Sequence, residues 1–153
     1  MMDINAKASV LVERLAKMAS AKAQSLYSSA LYAGTNDVKT DYKMDGKLSA
    51  VVTAEGEAVT FIEYGTGMYP EPPADMNEQG YTHGTYGKGH GANPPWYYYG
   101  EQGNTPDTMV VRDDPSKGTV VRTFGNPANL CLHLAKQHVE EQLVNVAKEV
   151  FNG

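Results

Sequence analysis

The chain is short of almost everything that marks a chemical centre by composition. It has one cysteine, Cys131, so it can form no intrachain disulfide framework and no thiolate metal cluster, and a reducing compartment is its simplest home. It has no apolar run near the roughly 18 residues that a membrane-spanning helix needs, and its N-terminus does not open on a charged segment followed by a continuous apolar one. Basic residues are outnumbered, 13 Lys and Arg against 18 Asp and Glu for a net charge of -5, which argues against broad binding to phosphate backbones. A ring of acidic subunits can nevertheless surround DNA, because like charge lets the polymer slide. What is present is a globular balance of 41% hydrophobic and 20% charged residues in 153 positions, enough for a single domain.

From about Asn5 to Tyr32 there is no Gly or Pro, and Ala8, Leu11, Leu15, Ala19, Leu26 and Ala30 recur at helical steps, interrupted by Lys22. The spacing predicts a long helix of roughly 40 Å, closed by Gly34 as a left-handed cap. Residues 37–47 read as edge-strand material, and Leu48–Ala54 with Ala58–Tyr64 as a hairpin turning at Glu55-Gly56-Glu57. A second hairpin is predicted from Thr108–Arg112 and Thr119–Phe124 around the turn-forming residues 113–118. Asn126 reads as a helix cap with Pro127 in the first turn of a second long helix that runs to about Phe151. On that helix Cys131, Leu134, His138, Leu143, Val146 and Val150 lie near one face. The fold class expected is α+β, two long terminal helices on a small antiparallel sheet, with the whole chain as one domain.

Between Gly65 and Gly118 lie ten of the 15 glycines, seven of the eight prolines, Trp96 and six tyrosines. This is not linker composition, and a loop of this length, about 65–107, is usually functional or disordered. Ordering its backbone costs about 1–2 kcal/mol per residue, more than its own aromatics return even when buried. Tyr69, Tyr81, Tyr86, Trp96, Tyr97, Tyr98 and Tyr99 are therefore expected to form an interface completed by neighbouring subunits. Base stacking by Trp96–Tyr99 is disfavoured, because no Lys or Arg falls between Lys88 and Arg112.

No catalytic, cofactor-binding or metal-binding residues are expected. His83 and His90 offer two ligands where zinc takes three or four, and His133 and His138, five apart, point about 140° away from one another on a helix. Residues 84–91 lack the hydroxyl and the following helix of a phosphate loop, since Gly89 follows Lys88 and Pro94-Pro95 comes soon after. Cys131 on an apolar helix face reads as a small core residue rather than a nucleophile.

The run Phe61-Ile62-Glu63-Tyr64-Gly65-Thr66-Gly67 resembles the head-to-tail connector, or neck and tail-completion, proteins of long-tailed bacteriophages, in which an aliphatic or aromatic strand ends in an acid, an aromatic residue and Gly-Thr. The likeness continues in order through Pro94-Pro95-Trp96-Tyr97-Tyr98-Tyr99 and closes on Thr123-Phe124-Gly125-Asn126-Pro127-Ala128, so it spans nearly the whole chain. The tyrosine content and length of the loop depart from the usual pattern, as does Asn129-Leu130-Cys131 where an aromatic is common. The resemblance implies a virion protein, assembled in the bacterial host cytoplasm, that forms a homo-oligomeric ring at the head–tail junction. It would touch the adaptor or stopper side and the tail terminator or tail tube. DNA would pass through the lumen without sequence-specific binding, with no membrane and no cofactor involved. A tail terminator or minor capsid protein is an alternative, and a small cytosolic enzyme using residues 65–107 as a lid is an alternative of another class.

Overall fold

The computed structural model describes residues 3–67 and 95–153. Tyr69, Tyr81, Tyr86, His83, His90 and residues 84–91 lie outside them. The fold is α+β, with a long N-terminal helix, a C-terminal helix and small antiparallel sheets. Its described residues fall into two compact units, one of 3–26, 39–55 and 131–153, the other of 27–38, 56–67 and 95–130.

In the first unit, α1 (Ile4–Ser29) contributes all but its last turn. Its deepest line is Ala16, Ser20 and Ala23, one residue away from the leucine-based stripe that the sequence suggests. The small side chains allow close approach while Leu15, Lys22 and Leu26 flank the seam half-buried. Strand β1 (Lys39–Met44) pairs antiparallel with β2 (Ala50–Glu55), and Thr40, Tyr42 and Met44 lie opposite Ala54, Val52 and Ala50 on the inward face. The hairpin hangs from α1 by Thr40, whose amide donates to Gln24 Oε1 at 2.8 Å and whose hydroxyl donates to the Ser20 carbonyl at 2.8 Å. Helix α3 (Cys131–Asn152) buries Cys131, Ala135, Val146 and Val150. Leu134 and Leu143, expected on that face, are instead exposed. Arg14 pairs with Glu149 at 2.6 Å, and Lys7 donates to the Phe151 carbonyl.

The second unit corrects three sequence expectations. Residues 58–64 are not a strand: α2 (Val59–Tyr64) is a short helix, and β2 takes β1 rather than this segment as its partner. The Asp37 carboxylate accepts from the amides of Glu57 and Ala58 at 2.9 and 3.2 Å, capping a helix whose own cap residue, Ala58, makes no side-chain bond. Local capping and burial of Ile62 and Glu63 override the β-propensity of Val59-Thr60-Phe61-Ile62. Gly34 does not close α1, which ends at Ser29, five residues earlier, with Ala30 N–H and Asn36 Nδ2 donating to the Tyr27 carbonyl. Asn126 and Pro127 do not open α3. Asn126 lies in β7 (Gly125–Asn126), and the amides of Asn129 and Leu130 instead satisfy the Ile62 and Glu63 carbonyls at the end of α2, so helix begins only at Cys131.

The second hairpin is found where it is expected: β5 (Met109–Asp114) pairs with β6 (Gly118–Thr123). Strand β4 (Trp96–Tyr99), inside the segment expected as loop, completes the three-stranded sheet β4-β6-β5, and β3 (Thr66–Gly67) pairs with β7 as a separate two-stranded ladder.

Candidate functional site

Two segments that carry the resemblance, about sixty residues apart in sequence, meet in the ladder where Thr66 faces Asn126 and Gly67 faces Gly125. The approach is close enough to demand glycine on both sides. A Cβ on Gly67 (φ 80) would strike the Phe124 carbonyl oxygen, and one on Gly125 (φ 122) would strike that of Thr66. A Cβ on Gly65 would lie 2.6 Å from the Ala128 nitrogen.

Around this ladder, polar side chains stitch the extended segment that follows α1. Asn126 accepts from the Ala33 amide at 2.7 Å and donates to Thr66 Oγ1 at 3.1 Å. Asn129 accepts from the Leu31 amide and donates to carbonyls of Leu31, Ile62 and Pro127, while Asn104 accepts from the Tyr32 amide and donates to the Ala30 carbonyl. Glu63, 2% exposed, accepts from the Tyr27 hydroxyl at 2.9 Å. Thr123 closes a local turn with both backbone groups of Gly125. Of the motif residues, Glu63, Gly65, Thr66, Thr123, Gly125 and Asn126 are buried, and Tyr64, Gly67 and Pro127 are half-buried. They act as a structural junction. Sequence reasoning placed none of the asparagine contacts, because an asparagine that bonds a backbone distant in sequence leaves no local pattern.

The exposed chemistry lies on the sheet beside it. Tyr97 and Tyr99 are 60% and 48% exposed, while Trp96 and Tyr98 alternate to the other face. Tyr98 donates its hydroxyl to the Ala33 carbonyl, and burial pushes its phenol up, partly offset by a backbone bond from Gly103. Burial likewise raises the Tyr32 phenol, with the charges of Asp37, Tyr98 and Glu57 adding to it. Strand β6 is the ruler across the sheet: Tyr97, Arg122 and Met109 share one rung, as do Tyr99, Val120 and Arg112. The bulge between Val110 and Arg112 is what returns Arg112 to the face of Met109, Tyr97 and Tyr99. The result is a hollow of about 360 Å³ lined by Tyr97, Tyr98, Tyr99, Val111, Arg112 and Val120.

Cations therefore do reach the tyrosines, although none is adjacent in sequence. Lys117 Nζ lies 5.4 Å from the Tyr99 ring centroid, and Arg122, 5.4 Å from the Phe124 ring, donates to Met109 Sδ at 2.8 Å. Asp113 and Asp114 occupy the same hairpin, so the face is mixed in sign, and Asp114 is held below the usual carboxylate range by bonds from Ser116 and Lys117. Strand β5 is exposed along most of its length, including Met109 (45%), Val110 (43%) and Val111 (48%).

Among the described residues no group of three or more His, Cys, Asp or Glu could hold a metal ion, and no helix is long and apolar enough to cross a membrane. Cys131 is 1% exposed in the core, and His133 contacts the Gln137 amide at 3.0 Å. Comparison with protein-family models, with curated proteins and with solved structures found no match.

Proposed function

We propose that this chain is the repeating subunit of a ring at the head–tail junction of a long-tailed bacteriophage, a structural virion protein without enzymatic activity. The observation that carries the reading is the sheet β4-β6-β5. It leaves Met109, Val110 and Val111 exposed in succession on one edge strand, and Tyr97 and Tyr99 exposed on the other. Among the described residues no strand covers this apolar edge; such an edge is an aggregation hazard that natural proteins blunt or pair, and its chemistry suits a protein partner. The motif order in the sequence supplies the address, and the meeting of its two ends in the β3–β7 ladder agrees with their acting as one unit.

The partners expected are further copies of the chain, an adaptor or stopper on the portal side and the tail terminator or tube on the other. The test is negative-stain electron microscopy and mass photometry of the purified 16.6 kDa chain, followed by labelling of its N-terminus in particles. Closed rings in solution and a label at the neck are the expected results. A chain that stays monomeric at tens of micromolar, or a label at the tail tip or absent from the particle, overturns the proposal.

A further inference from the structure

We infer that the ring closes by sheet continuation, strand β5 of one copy lying parallel beside strand β4 of the next. The inference rests on the ring reading above and names the contact within it. Strands β4 and β5 are the two edges of one sheet, and among the described residues each has β6 as its one neighbouring strand. Both run antiparallel to β6, so they run parallel to each other. A cyclic ring repeats a head-to-tail contact by rotation without reversing strand direction, and its interface joins two different patches of the same subunit. The two open edges of this sheet are such a pair of patches, and joining them removes both edges at once.

The ladder also sets which side chains meet. Rotation about an axis along the strands keeps height, and β6 places Met109 level with Tyr97, Val110 level with Tyr98, and Arg112 level with Tyr99. Across the junction Met109 then neighbours Tyr97 of the next copy and Arg112 neighbours its Tyr99. Adjacent strands lie about 4.8 Å apart, which suits a thioether at a ring edge, where sulfur sits about 5 Å from the ring. It also suits a guanidinium within about 6 Å of an aromatic centroid. Val110 meets Tyr98 on the opposite face. The Val111 bulge is what puts Met109 and Arg112 on the tyrosine side together; an unbulged strand would send Arg112 to the other face. Each rung thus places an apolar or cationic side chain against an aromatic one, with no like charges opposed.

The test is thiol cross-linking in the assembled protein, where the native Cys131 is buried and out of reach. The double variant Met109→Cys/Tyr97→Cys, treated with a mild oxidant, is expected to give a ladder of disulfide-linked multimers ending at the ring size seen by microscopy, because the same pair within one copy lies two strands, about 9.6 Å, apart and beyond disulfide reach. Each single variant should stay uncross-linked. A thermal melt within a few degrees of the parent shows that the variants fold, and Arg112→Cys/Tyr99→Cys repeats the test one rung away. As a second measurement, Arg112→Ala is expected to raise the concentration for half-assembly by a few-fold to about thirtyfold. Rings without cross-links at either rung overturn this contact and leave the ring reading standing. Dimers from Met109→Cys alone point to β5 pairing with itself and also overturn it. A parent chain that never assembles overturns both.

Discussion

Asp37 holds the start of α2 from outside the helix. Its carboxylate takes the amides of Glu57 and Ala58, in the turn that leads into the helix, and these bonds pull its pKa below the ordinary carboxylate value. A carboxylate with a depressed folded pKa contributes stability that is fully present above its unfolded pKa, about 3.9, and is lost as pH falls through the folded value. Asp37→Ala is therefore expected to lower unfolding free energy by about 0.5–2 kcal/mol at pH 7. The gap from the parent should shrink in acid, as the parent's own carboxylate is protonated. Urea titrations of both proteins at pH 7 and pH 3 check this. A gap that is the same at both pH values would mean that the carboxylate charge plays no part. Asp37→Asn, which retains an acceptor oxygen, should fall between the two at neutral pH.

At the scale of elements, the β3–β7 ladder is the part of the fold on which the motif glycines bear. Gly125 combines positive φ with a carbonyl pressed against the place of its absent Cβ, whereas Gly118, also at positive φ (90), has nothing within 4 Å. Gly118→Ala should meet only backbone strain of about 1–3 kcal/mol; Gly125→Ala must in addition push the ladder apart and is expected to be the more destabilising of the two. Chemical-denaturation midpoints measure the difference, and equal midpoints would show that the close approach does not hold the ladder together. The same comparison explains what was legible in the sequence. The β5–β6 hairpin was, because Asp113, Asp114, Pro115, Ser116 and Gly118 announce a turn within a few residues of the strands it joins. The helix at 59–64 was not, because its cap, Asp37, lies some twenty residues upstream and its own residues favour strand. Asn126-Pro127 looked like a helix start because that pairing usually is one; here the Asn126 side chain is already committed to Ala33 and Thr66. Trp96–Tyr99, expected within a loop, form β4 instead, and the cations across from them were not legible either, since Arg112, Lys117 and Arg122 reach them only through sheet pairing and a bulge.

For the whole molecule, the expected consequence of assembly is thermodynamic as well as visual. Anything that binds the folded chain and not the unfolded one raises apparent stability by mass action, and a second copy is such a ligand whose concentration is that of the protein itself. The melting temperature of the parent should therefore climb with protein concentration. Val111, 48% exposed at the bulge of β5, gives a way to separate this from ordinary folding stability. A lysine there places a solvated charge on an apolar edge, a device by which edge strands avoid pairing, while an exposed position away from the core shifts monomer stability by only about 0.5 kcal/mol. Val111→Lys is thus expected to melt near the parent's dilute value at every concentration, with the parent alone rising. Differential scanning fluorimetry over about two decades of concentration reads both curves. If the variant rises in parallel with the parent, the copies meet through some other surface, and the exposed Leu143, Val144 and Phe151 of α3 become the next place to put the lysine.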